Sequence, residues 1–223
     1  LSAWRPLQTA AEQGLPIVMG YVLRHDPALA VLKGWLASDE IGKLVSAHGY
    51  CGSWLPDWRP GTDYRQGVSA RNDLGGGVLL ELSHDLDILQ ALMGPLTVVA
   101  AEMSCSGLLE VDVEDRAILL LRTSAGEPVS LQLDFCTRPA SRSIMLRGSK
   151  GEIIWDLIKG CLNRVDQNGL AHVQYYALES EERYRRQLIH FLDCCKGRTK
   201  PLVNMEDGLS VLELVRQARV SCR

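Results

Sequence analysis

Three ionisable side chains stand close together in GGGVLLELSHDLD, Gly75 to Asp87. Apolar residues at Val78, Leu82, Leu86 and Leu89 predict one helix from the glycines to about Met93, where Gly94-Pro95 ends it. On that helix Glu81, His84 and Asp85 fall at i, i+3 and i+4, so they project from adjacent parts of one face. An imidazole flanked by carboxylates is suited to proton transfer near neutral pH, because carboxylates raise its pKa while burial lowers it. The same spacing also describes an ordinary histidine–carboxylate pair on a solvated helix. The glycine run favours chemistry, because it lets a ligand or another backbone approach closely.

A second group lies in GYVLRHDP, Gly20 to Pro27. Leu15 to Val22 reads as a short buried strand, and ligands bind at strand carboxyl ends in open α/β sheets. Tyr21, Arg24 and His25 are therefore candidate pocket residues, although Arg24 could equally bridge helix termini and His25 could neighbour a cap. His48, His172 and His190 lie in ordinary strand or helix patterns and read as structural. A third group is the stretch Leu55 to Leu74, which has no apolar period and carries Trp58, Arg59, Tyr64 and Arg65. Long loops of this kind are usually functional, and the alternative is a solvated excursion.

Period and punctuation give the framework around these groups. Ala3 to Gln13 has helical spacing stopped by Gly14, and Asp26 caps a helix that starts at Pro27 and carries Leu29, Leu32, Trp35 and Leu36. Lys43 to Trp54 reads as a strand. After Met93 the period changes to that of an antiparallel meander over Val98–Cys105, Val113–Arg122, Pro128–Phe135, Ser141–Arg147, Glu152–Leu157, Cys161–Val165 and Ala171–Tyr175. Two helices close the chain. Glu179 to Lys196 is expected to bury Tyr184, Leu188, Phe191 and Cys195; the last, capped by Asn204, is expected to bury Leu209, Leu212, Val215 and Ala218. There is no internal repeat and no strand-GxGxxG-helix unit.

The 223 residues predict one domain and a fraction, with room for a sizeable core. Hydrophobic residues at 46% and charged ones at 23% exclude a disordered chain. A net charge of −3 leaves no electrostatic footprint for nucleic acid or an anionic membrane. No apolar run reaches the roughly 20 residues a bilayer span needs. The seven cysteines are odd in number, scattered and without metal-ligand spacing, so no metal site is expected; they predict reduced thiols and a cytoplasmic home.

The order of pieces is itself informative. GYVLRHDPALAVLKGWL, DEIGKLVSAHGY, WLPDWRPGTDYRQGVSARNDLGGGVLLELSHDLDILQALMG, VDVEDRAILLLR and GSKGEIIWDL together resemble the glucose-fructose oxidoreductase and inositol dehydrogenase (Gfo/Idh/MocA) family over nearly the whole chain. Members pair an amino-terminal NAD(P)-binding Rossmann domain with a carboxyl-terminal domain whose open sheet supplies substrate contacts and a dimer face. The resemblance thus implies an α+β (α/β) fold with a large, mostly antiparallel open sheet and helices on one face. It makes residues 1–22 the last helix and strand of a dinucleotide-binding domain, and residues 23–223 the substrate-binding and oligomerisation domain.

The family's nucleotide fingerprint and its Glu-Lys-Pro motif, whose Lys is catalytic, are absent; Leu1-Ser2 resembles the pair of residues directly after that Pro. In the family pattern Glu81 holds the place of an Asp and Asp85 that of a His, with His84 one residue early and so turned by about 100° on a helix. The resemblance implies an NAD- or NADP-dependent oxidoreductase acting on a secondary hydroxyl of a sugar, sugar nucleotide or cyclitol, inactive as this piece alone. Glu81, His84 and Asp85 would form its catalytic cluster. Tyr21 and Arg24 would border the cofactor, and Trp58, Arg59, Tyr64 and Arg65 would cover the substrate. A homodimer or homotetramer through the open sheet is implied. The alternatives are a non-enzymatic sugar-binding and dimerisation module, or a degenerate regulatory member.

Overall fold

Alternating apolar and polar residues in the second half of the chain build a single sheet in the computed structural model, which describes residues 7, 9, 10, 12–176 and 180–222. Its strands are β1 (Leu44–Gly52), β2 (Leu96–Ser104), β3 (Arg116–Thr123), β4 (Pro128–Asp134), β5 (Ser141–Gly148), β6 (Gly151–Asp156), β7 (Cys161–Asp166) and β8 (Ala171–Tyr175). They lie in the order β2-β3-β4-β1-β5-β6-β7-β8. Every neighbouring pair is antiparallel except β1 with β4, so the mostly antiparallel open sheet expected from the sequence is the observed one. The helices are α1 (Pro27–Ala37), α2 (Val78–Glu81), α3 (Ser83–Met93), α4 (Ser180–Cys195) and α5 (Met205–Ser221).

The core lies between one sheet face and the helices. In β3 the residues Ala117, Leu119 and Leu121 are buried while Arg116, Ile118, Leu120 and Arg122 are exposed, the period of a sheet covered on one side. Leu86, Ile88 and Leu89 of α3 join Leu131, Leu133 and Phe135 in that core. Gly49 at the middle of β1 makes the approach possible, since a Cβ there would press on Leu131 and Leu89. Helix α5 closes the β2 edge: the Val98 N–H donates to Gln217 Oε1 at 3.0 Å.

Several expectations need correction. Leu15 to Val22 is not a strand; residues 15–21 have no regular structure, and Val22–His25 is a 3-10 turn. A strand needs a ladder, and the Met19 N–H reaches only the Val203 carbonyl, at 3.0 Å. Of the helix expected over Ala3 to Gln13, residues 7, 9, 10 and 12 are helical, while residues 1–6, 8 and 11 lie outside the described residues, as does residue 179 at the start expected for α4. Leu55 to Leu74 is not structureless but a chain of four 3-10 turns. The single helix expected to Met93 is two, broken at Leu82, whose φ −99° and ψ 20° leave the α-helical region.

The helix faces at the end of the chain also differ. Tyr184, Leu188 and Phe191 of α4 are exposed, Cys195 is exposed, and Cys194 is the buried residue. In α5, Val215 and Ala218 are buried as expected, but Leu209 and Leu212 are exposed and Val211 and Leu214 take their places. Amphipathic patterns locate an apolar face without saying whether this chain supplies its cover.

Candidate functional site

The glycine run positions the site by letting backbone meet backbone. The Gly76 N–H donates to the Arg71 carbonyl at 2.9 Å and the Gly77 N–H to the Ser69 carbonyl at 3.1 Å. A Cβ on Gly76 would collide with the carbonyls of Val68, Ser69 and Arg71. The turns of residues 64–74 are thereby laced onto the start of α2. Ser69 Oγ then donates to Glu81 Oε2 at 2.8 Å, so Glu81 faces the loop.

Asp85 points elsewhere. It lies in the first turn of α3, where the helix dipole favours an anion, and is 1% exposed. Arg142 of β5 clamps it at two points, Nε to Oδ1 at 3.0 Å and Nη2 to Oδ2 at 2.8 Å. Arg142 stands opposite Cys51 in the β1–β5 ladder. Burial and the nearby Asp85 push the Cys51 thiol up to about 12, so it remains a thiol. Burial also raises the Asp85 carboxyl, and the Arg142 charge opposes that rise.

His84 sits between these two carboxylates on its own. Its ring meets the edge of Tyr21 with centroids 5.2 Å apart at 87°, and its Nδ1 is buried without a hydrogen-bond partner. Burial, and after it the charge of Arg142, lowers the His84 pKa to about 4, so the imidazole is neutral at pH 7. Burial raises the Tyr21 hydroxyl. A neutral imidazole with a free nitrogen can accept a proton. Asp85, already holding a guanidinium, is poorly placed to do so.

The aromatic loop forms a cavity of about 290 Å³ whose walls include Trp58, Arg59, Tyr64 and Ser69. Trp58 is fixed by its Nε1–H to Ser53 Oγ at 2.7 Å and by an edge-on contact with Phe135. Tyr64 Oη accepts from the Glu110 N–H at 3.1 Å. Arg65 is turned out of this cavity and pairs with Asp63 at 2.8 Å and Glu110 at 3.2 Å. Glu81 reaches the cavity wall through Ser69, whereas His84 and Asp85 do not line it.

Tyr21 and Arg24 part company as well. Arg24 donates Nε and Nη2 to Asp87 at 2.7 and 2.8 Å, and Asp87 is completely buried. Asp26 accepts from the Ala28 N–H as the α1 cap and from Arg183 Nε of α4 at 2.6 Å. The His25 ring lies 5.4 Å from that of His190. GYVLRHDP is thus a junction that ties the 3-10 turn to α3 and α4, the helix-bridging alternative for Arg24. Asp87 holds two of the guanidinium donors of Arg24, which makes this residue a tether. Among the described residues there is no strand–glycine loop–helix unit for a pyrophosphate and no group of three or more His, Cys, Asp or Glu placed to hold a metal. None of the described helices is long and apolar enough to cross a membrane.

Sequence reasoning missed Arg142 and Ser69. Arg142 had a signal: in Ser141–Gly148 it shares its two-residue period with Ile144 and Leu146, both buried, so it was a charge on a core face in need of a carboxylate.

The fold has known counterparts. The structure is similar to an NAD-binding oxidoreductase from Klebsiella pneumoniae, with a TM-score of 0.84 and 16% identity over 98% of this chain and 67% of that one. It is equally similar to a 3-ketoreductase from Actinomadura kijaniata in complex with NADP and TDP-benzene, with a TM-score of 0.84 and 20% identity over 99% and 67%. Levoglucosan dehydrogenase in complex with NADH and levoglucosan is similar at a TM-score of 0.79, with 16% identity over 93% and 65%. The chain therefore spans about two thirds of the length of these proteins. No curated protein matches its sequence. Residues 29–154 match the GFO/IDH/MocA C-terminal domain model, and the chain belongs to that family.

Proposed function

We propose that this chain is the substrate domain of an NAD(P)-dependent oxidoreductase acting on a secondary hydroxyl of a sugar, sugar nucleotide or cyclitol. The observation that carries the reading is the neutral, partly buried His84 with an unpartnered nitrogen, one residue from a locked ion pair and one turn from Glu81. His84 accepts the hydroxyl proton. Glu81 with Ser69 orients the loop, and Trp58, Tyr64 and Arg59, whose cavity His84 does not line, hold the part of the substrate remote from the reacting hydroxyl, with Arg59 as a donor for phosphate or carboxylate. Asp85 moves in this reading from a reacting group to a support.

NAD or NADP is held by a preceding nucleotide-binding domain, of which residues 1–22 are the last part. The exposed Tyr184, Leu188 and Phe191 of α4, which border a cavity of about 240 Å³ with Val18, Met19 and Gly20, support this. The exposed Val99, Ile118 and Leu120 of the open sheet face support a homodimer or homotetramer there. The test is an NAD(P)H absorbance assay of the longer protein over a panel of sugars, sugar nucleotides and cyclitols; turnover with none of them overturns the proposal.

A second reading is favoured by one observation: Arg24 and Asp85 are both consumed by ion pairs, which suits a sugar-binding and dimerisation module without catalysis. Sugar binding by calorimetry to a dimeric longer protein that turns nothing over would favour it.

A further inference from the structure

Arg142 is the cation whose charge acts on His84, and its position is unusual for a strand. It projects from β5 toward the helix side of the sheet, where its neighbours Ile144 and Leu146 are core residues. A guanidinium taken there from water costs several kcal/mol unless its donors are satisfied. Asp85 satisfies two of them, and Cys51 lies across the ladder. The acceptor, Asp85, is the residue directly after His84, and the fork geometry fixes how the first turn of α3 is rotated.

The groups that face His84 are few. Tyr21 meets its ring from the segment before the 3-10 turn, and burial keeps that phenol protonated. Glu81 lies one helical turn back but is directed to Ser69. Asp85 is turned to Arg142, and Cys51 behind it is a thiol. Arg142 is thus the charge that opposes protonation of the imidazole, beyond the effect of burial.

We infer that Arg142 is a positioning residue of this site: by clamping Asp85 at two points it sets the rotation of the first turn of α3, and so the direction in which the neighbouring His84 presents its ring. This rests on the role proposed for His84, but its readout needs no turnover. Burial alone would leave His84 indifferent to which cation holds Asp85, or to whether one does.

The test tracks the His84 ring resonances by NMR titration in the full chain and in Arg142→Gln and Arg142→Lys. In Arg142→Gln the unpaired Asp85 takes up a proton, no cation faces His84, and its midpoint is expected to rise by about one pH unit. Arg142→Lys keeps the charge and is expected to keep the low midpoint. In the longer protein the acid limb of the kcat profile should move with the titration. If Arg142→Gln does not fold, Asp85→Leu/Arg142→Met replaces the pair with apolar side chains, a change buried pairs often tolerate, and must show the same rise. An unmoved His84 midpoint in a folded variant overturns the inference, and so does failure of every pair variant to fold, which would make the pair purely architectural. A midpoint that moves while turnover ignores His84 leaves Arg142 as inferred and removes the proposed proton acceptor.

Discussion

Asp85 and Arg142 are joined at two points, 3.0 and 2.8 Å apart, across the boundary between α3 and β5. Their side chains are 2% and 21% exposed, so water screens the pair little. Removing either partner strands the other. Asp85→Leu alone and Arg142→Met alone are each expected to cost about 3–5 kcal/mol in urea unfolding, and the double variant less than either. Simple addition of the two single costs would contradict the coupling.

Arg24 is a tether in the same sense, holding the completely buried Asp87. Arg24→Met is expected to destabilise the chain by about 3–5 kcal/mol. It should leave the affinity of the longer protein for NAD(P)H within about twofold, because two of its guanidinium donors are already held by Asp87. A large loss of cofactor affinity with unchanged stability would restore Arg24 as a cofactor contact.

His84 gives stability a pH dependence of known sign. Its folded pKa of about 4 lies below its unfolded value of 6.5, so between these values the unfolded chain binds more protons and acid favours unfolding. The contribution is complete above pH 6.5 and is lost as pH falls toward 4. Its size is at most on the order of 3 kcal/mol, since His84 is only partly buried. The stability difference between the chain and His84→Gln isolates this from the buried carboxylates. That difference should shift in favour of His84→Gln as pH falls; a pH-independent difference would remove the depressed histidine.

Gly76 is a steric requirement. Gly76→Ala forces a methyl group into the carbonyls of Val68, Ser69 and Arg71 and is expected to cost about 1–3 kcal/mol. Because these contacts lace the aromatic loop to α2, protease cleavage within residues 55–74 should quicken as well. A stable, equally resistant variant would mean that the loop is held elsewhere.

Much of the fold was legible because period survives folding. Alternation in residues such as Val129, Leu131 and Leu133 located β4, and the Asp26-Pro27 pair located the start of α1. The parallel pairing of β1 with β4 was not legible, since it joins segments some eighty residues apart. The spacing of Glu81, His84 and Asp85 marks them as a cluster, but only on an ideal helix. Leu82 breaks it, and partners far along the chain, Ser69 and Arg142, draw the two carboxylates apart. In α4 the apolar stripe was seen correctly as a stripe; its exposure depends on the surfaces that pack there, which local pattern does not encode.

Proton transfer to His84 is tested most directly by kcat of the longer protein with its best sugar-type substrate, compared between the natural chain and His84→Gln, a variant that keeps a polar side chain of similar size. A fall of about 100-fold to 10,000-fold is expected, with cofactor affinity unchanged. A kcat unaffected by His84→Gln would contradict a proton acceptor at this position.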